Sequence, residues 1–212
     1  MMIQTPGTRR QLQELLLELD LIVEGFEEAL FRAAVDRRTF SAGAPSMAPE
    51  FVRWARTVQY LHDGLVSMPG SRWSRTDDDG LPVFANRTHR KRLMVSSGDA
   101  FAGSPYELAS NRNPKLGPGH RRMTQENFRE IQPEIPGLEV KREKTFENWV
   151  LLYCERDDGI HAELCVPASI EGGYYKAVLR RIVFPELPLA DQHFRFSGDD
   201  DGEEFGFKIR RR

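Results

Sequence analysis

Cysteine is almost missing from this chain: 212 residues contain two, Cys154 and Cys165. Two thiols cannot build a disulfide framework, and a reducing compartment would keep both free. Long hydrophobic runs are missing too, since no stretch approaches the roughly 20 apolar residues that a membrane span needs. The opening Met-Met-Ile-Gln-Thr-Pro-Gly-Thr-Arg-Arg lacks the basic start, apolar stretch and cleavage site of a secretory signal. The expectation is a cytoplasmic protein with no membrane contact. Ser96-Ser97-Gly98-Asp99 is not a Gly-x-Ser-x-Gly elbow, and no glycine-rich phosphate loop ends in Lys-Ser or Lys-Thr. No motif therefore fixes a reaction, and no cofactor is expected.

Lysine is also scarce, at 6 residues against 24 arginines. Arginine is enriched along the whole chain, so its frequency carries little meaning and only its clustering counts. One cluster stands out between positions 87 and 122. Arg87, Arg90, Lys91, Arg92, Arg112, Lys115, Arg121 and Arg122 face only Asp99 and Glu107, so eight basic and two acidic side chains leave a net charge of +6. The part from Ser110 to Arg122 is nearly free of apolar side chains and rich in donors. These eight basic residues are the candidate contacts to a nucleic-acid backbone, with little sequence preference because no base-reading helix accompanies them. The rest of the composition, 40% hydrophobic and 29% charged, is that of an ordinary globular chain with a real core.

Helical periodicity governs the first third. Thr8 and Gln11 form a capping-box pattern, and Leu12, Leu15, Leu16, Leu19, Val23, Phe26 and Leu30 follow at spacings of three and four. Gly25 predicts a bend between Asp20 and Gly25. A second helix runs from Pro49 to Val66, where Phe51, Trp54, Val58, Leu61 and Leu65 make a narrow heptad-like seam. That seam either pairs the helices on a sheet or docks a protein partner.

Strand signals dominate afterwards. Asp79-Gly80 and Asp201-Gly202 read as hairpin turns rather than calcium loops, because the alternating acidic spacing and distal Glu are missing. Arg90 to Ser96 reads as a short strand, and Thr124 as the cap of a helix over Gln125 to Ile131. Leu138 to Glu143, Trp149 to Glu155, Ile160 to Val166, Val178 to Phe184, Phe194 to Phe196 and Phe205 to Ile209 read as strands. The resulting expectation is an α+β fold. An N-terminal helical pair (1–70) packs with an antiparallel C-terminal sheet (138–212), and an irregular basic segment (71–137) with a short strand and helix lies between them, the three parts making one compact domain.

Two constellations could carry chemistry. A two-residue turn at Asp158-Gly159 would set Cys154 opposite Glu163 and Leu152 opposite Cys165. Cys154, His161, Glu163 and Cys165 would then share one sheet face, with Trp149, Leu151, Tyr153, Ala162, Leu164 and Val166 on the other. The first four are metal-ligand types, although no CxxC pair supports them. Glu139-Val140-Lys141 resembles the acid-spacer-lysine strand of metal-dependent nucleases, with Asp99 as its upstream carboxylate. On that alternative Asp99, Glu139 and Lys141 are catalytic and a cation such as magnesium is required.

Overall fold

The computed structural model describes residues 1–114, 116–131 and 145–187. Among these residues seven strands form one mixed sheet: β1 (Met2–Gln4), β2 (Trp73–Asp78), β3 (Leu81–Asn86), β4 (Lys91–Ser97), β5 (Glu147–Glu155), β6 (Ile160–Glu171) and β7 (Tyr174–Val183). Their order is β1-β7-β6-β5-β4-β3-β2, parallel at β1–β7 and β4–β5 and antiparallel elsewhere. The fold is thus α+β as expected, but the sheet is mixed and recruits the middle of the chain and its first residues. The segments proposed as strands at 138–143, 194–196 and 205–209, and the turn at Asp201-Gly202, lie outside the described residues.

Helices α1 (Arg9–Leu17), α2 (Val23–Arg37) and α3 (Ala48–Leu65) cover one face. Thr8 Oγ1 accepts from Gln11 N at 3.3 Å, while Gln11 Oε1 accepts from Gly7 N at 2.9 Å, so the cap forms with its return bond one residue early. The expected bend is a complete break. Asp20 takes a left-handed φ of 60°, a conformation Asp tolerates better than most residues. Its carbonyl accepts from Trp73 Nε1 at 2.7 Å and its carboxylate from Asn86 Nδ2 at 2.8 Å, which fastens the break to β2 and β3. Gln13 of α1 then caps α2 by accepting from Val23 N at 2.8 Å.

Gly25 serves packing. A Cβ built on Gly64 of α3 would lie 3.1 Å from the Gly25 Cα, so the two glycines let α2 and α3 approach backbone to backbone. Val58, Leu61 and Leu65 of the seam are buried in the chain's own core, and Phe51 at its start remains 63% exposed.

The other face is covered by the 98–117 loop and by α4 (Pro118–Ile131), which connect β4 to its parallel neighbour β5. The helix begins at Pro118, not after Thr124. Proline fits the first helical position because that N–H has no helical partner to lose, and Thr124 ends up buried inside the helix. An asparagine pair fixes α4 to the sheet: Asn148 N donates to Asn127 Oδ1, and Asn127 Nδ2 donates to the carbonyls of Asn148 and Pro167, each at 2.9 Å. With both faces covered, β5 is buried from Asn148 to Tyr153, as its nearly unbroken apolar sequence requires.

Turn chemistry sets the hairpins. Asp79 and Gly80 have φ of 52° and 75°, the doubly positive turn expected there. Gly172 and Gly173 (58° and 87°) form a second such turn between β6 and β7 that the strand reading overlooked.

Candidate functional site

Face assignments in the β5–β6 hairpin follow the alternation, but its register differs from expectation. Cys154 pairs with His161, Leu152 with Glu163 and Val150 with Cys165, two residues away from the two-residue-turn register. The connection is a four-residue loop, closed by Arg156 N donating to Gly159 O at 2.9 Å. A shift of two leaves every side chain on its face. Cys154, His161, Glu163 and Cys165 therefore do share the face under the 98–117 loop, yet they do not converge on one point.

Glu163 is fully buried and committed to Arg181. Arg181 Nε donates to Oε1 at 3.0 Å, Nη2 donates to Oε2, and Gly103 N adds a bond to Oε2 at 3.2 Å. Cys165 is fully buried, and burial pushes its thiol well above the ordinary range. Cys154 Sγ points its hydrogen bond at Ala102 O, 3.7 Å away, and burial raises its thiol pKa as well. Neither thiol is poised as a thiolate ligand or nucleophile.

His161 makes a different grouping. Asp158, His161 and Glu186 present ligand atoms that all lie within 4.8 Å of one another. His161 is buried, and the two carboxylates are exposed. Its Nε2 is 2.8 Å from Asp158 Oδ1, and its Nδ1 is 3.4 Å from Arg156 Nη1. A guanidinium only donates, so Nδ1 is the acceptor and Nε2–H donates to Asp158. That hydrogen bond holds the Asp158 carboxyl below its ordinary pKa. Arg156 is itself anchored through Nη2 on the carbonyls of Ala100 and Ala102, the latter at 2.9 Å. Glu186 arrives because Leu187 and Ile160 exchange backbone bonds of 2.8 and 3.0 Å. Gly159 permits that approach, since a Cβ there would meet Leu187 O at 2.6 Å. The Asp157-Asp158-Gly159 signal was legible only as a turn; Glu186, three residues beyond the end of β7, carried none.

Asp99 has a loop-closing role. Its two oxygens accept from Phe101 N at 3.0 Å and Ser110 N at 3.1 Å, tying the ends of the 99–110 loop together. Glu139 and Lys141 lie outside the described residues.

The basic segment divides between the two ends of β4. Arg87, Arg90 and Arg92 line a cavity of about 430 Å³ with Thr76, Ala85 and Phe146. Arg92 lies over the Phe146 ring at 4.2 Å and pairs with Glu126 at 3.0 Å. Lys91 donates to Glu18 O at 3.1 Å, and burial lowers its pKa. At the other end, Arg112 N bonds Ser97 O at 2.8 Å while its guanidinium pairs with Glu50 at 3.4 Å. On α4, Arg122 pairs with Asp78 and with Asp79, the latter at 2.8 Å, and Arg121 Nε reaches Leu116 O at 3.5 Å. Lys115 lies outside the described residues.

No protein-family model, curated protein or solved structure matches the chain. Among the described residues no helix is long and apolar enough to cross a membrane.

Proposed function

We propose that the protein binds a divalent cation at the corner formed by Asp158, His161 and Glu186, and uses it in the hydrolysis of phosphate esters. The observation that supports this reading is the grouping of one buried imidazole and two carboxylates within 4.8 Å. Two ligands of a tetrahedral ion with bonds of about 2.0–2.1 Å stand roughly 3.4 Å apart, so no pair needs to close by more than about 1.4 Å, and Asp158, 2.8 Å from His161 Nε2, needs only to open slightly. One imidazole with two carboxylates suits zinc or manganese, and three protein ligands leave a position open for water. A cation there would polarise an ester oxygen and lower the pKa of that water. Arg156 opposes it twice, through its charge and by holding the Nε2–H tautomer.

Calorimetric titration of chelator-stripped protein with Zn²⁺ and Mn²⁺ tests the site. One equivalent should bind, Asp158→Asn/Glu186→Gln should lose tenfold or more in affinity, and Arg156→Ala should gain. Cation-dependent cleavage of a nitrophenyl phosphodiester should follow the same order. Absence of saturable binding, or equal binding by the double variant, ends this reading.

A second reading rests on the cavity of Arg87, Arg90, Arg92 and Phe146. Three guanidiniums and an aromatic ring around one concavity suit a nucleic-acid backbone with an unstacked base. Its salt dependence is the test.

A further inference from the structure

A second arginine group lies where β4 and β5, the parallel pair, both end. Glu155, the last residue of β5, pairs with Arg37 at 3.2 Å, Arg38 at 3.0 Å and Arg53 at 3.2 Å. Glu50 pairs with Arg37 at 2.8 Å and Arg112 at 3.4 Å. Four guanidiniums against two carboxylates leave a net charge of +2. Arg37 and Arg38 gain some support from the C-terminus of α2, where the helix dipole favours cations, but Arg53 and Arg112 do not. Arg53 is 3% exposed, and its Nε and Nη2 are buried with no hydrogen-bond partner among the described residues. Buried donors left without a hydrogen bond are costly, and more so when they belong to a charged group. The Arg53 guanidinium lies 4.9 Å from the Tyr153 ring centroid, and the Tyr153 hydroxyl is 3.5 Å from Ser97 Oγ.

Glu50 and Ser97 join this group to the adjoining cavity, of about 410 Å³, which the four arginines themselves do not line. Its apolar wall includes Met47, Phe51, Trp54, Leu81 and Leu116. Phe51 is far more exposed than any other member of its helix seam, and its ring centroid is 5.9 Å from that of Trp54. The volume is that of a small-molecule site, and the crevice beyond the carboxyl ends of parallel strands is where open sheets commonly take ligands.

We propose that this end of the sheet is a binding site for a small organic phosphate, its dianionic group among Arg37, Arg38, Arg53 and Arg112 and its flat apolar body against Phe51 and Trp54. A phosphate dianion matches the +2 excess, and its oxygens accept from planar guanidinium forks better than water does. Arg38 and Arg112, with side chains 54% and 59% exposed, form the accessible rim, and Arg53 forms the fixed base. No cation is needed, so the site stands apart from the Asp158–His161–Glu186 corner.

The test uses the full chain in a chelating buffer, titrated with phenyl phosphate and with inorganic phosphate and followed by calorimetry and thermal midpoint. Phenyl phosphate should bind once per chain and more tightly than inorganic phosphate. Arg38→Ala/Arg112→Ala should weaken both by tenfold or more, and Phe51→Ala should weaken phenyl phosphate alone. These three positions are exposed, so the variants should fold, and the thermal midpoint without ligand confirms it. No saturable binding of either compound at millimolar concentration, or unchanged affinity in the folded double variant, overturns the proposal.

Discussion

Arg181 and Arg53 are both buried, at 1% and 3% exposure, and they meet that burial in opposite ways. Arg181 holds Glu163 through two parallel bonds and gives a further one to Ser104 O at 2.9 Å. With Gly103 N also on Glu163, this clip closes the 98–117 loop onto the sheet. Desolvation still pushes the Glu163 carboxyl upward, against the bonds from Arg181 that pull it down. Arg53 has one ion pair and two orphaned nitrogens, and desolvation lowers its pKa despite Glu155 and Tyr153 nearby. A buried charge with its partners complete is explained by the fold that it fastens. One with donors left over is not, and that difference directs attention to the end of β5 rather than to its middle.

The largest effect should come from breaking the closed clip. Arg181→Met leaves Glu163 buried without its cation and should cost about 3–5 kcal/mol. Replacing both, as Arg181→Met/Glu163→Leu, should recover most of that loss, because an apolar pair of similar volume carries no desolvation penalty. Arg53→Met leaves Glu155 with Arg37 and Arg38 and removes two unsatisfied donors, so it should change stability by less than about 1 kcal/mol. Urea denaturation of the four proteins measures all of this. Equal losses for Arg53→Met and Arg181→Met would make both arginines structural and erase the contrast.

A titratable group sharpens the comparison on the α4 side. His120 Nδ1 lies 2.8 Å from the Tyr175 hydroxyl, and burial lowers its pKa from 6.5 to about 4. Below pH 6.5 the unfolded chain takes up a proton that the folded chain refuses, so stability falls with pH until the folded group titrates near pH 4. The loss across that window is roughly 3 kcal/mol. His120→Gln keeps a hydrogen-bonding side chain without the titration and should flatten the acid limb between those two pH values. An unchanged limb would assign the acid sensitivity to the carboxylates, among them Glu155, whose pKa the bonds from Arg38 and its neighbouring arginines lower in spite of burial.

Local rules made much of this fold legible. Alternation separated Trp149, Leu151 and Tyr153 from Val150 and Leu152 correctly, and it survived a wrong register because the slip was two residues. The Thr8 cap and the Asp79-Gly80 turn depend on neighbours in sequence and were readable for that reason. Thr124 failed because a hydroxyl before an apolar run looks the same at a cap and inside a helix, while Pro118 was the true start. The two sites were not readable. Arg37, Arg38, Arg53, Arg112 and Glu155 come from α2, α3, a loop and β5, and Glu186 reaches His161 only through the pairing of Ile160 with Leu187. Conversely, the basic run that is continuous in sequence is divided by the length of β4.

That division yields the smallest effect, and it sets the two ends of β4 against each other. Arg122 is occupied by Asp78 and Asp79, whereas Arg87 lines the cavity with Arg90, Arg92 and Phe146. If a nucleic-acid backbone engages that cavity through three phosphates, log affinity for duplex DNA should fall with log salt at a slope of about −3. Arg87→Ala should shallow the slope by about one contact, and Arg122→Ala should leave both slope and thermal midpoint where they were. Equal shallowing by the two variants would mean that the chain presents one continuous basic strip despite its ion pairs. No affinity for DNA or RNA at low salt would end the nucleic-acid reading and leave the cavity as a site for smaller anions, because planar guanidinium donors, one of them (Arg92) stacked on Phe146, still favour an oxyanion when no polymer follows it.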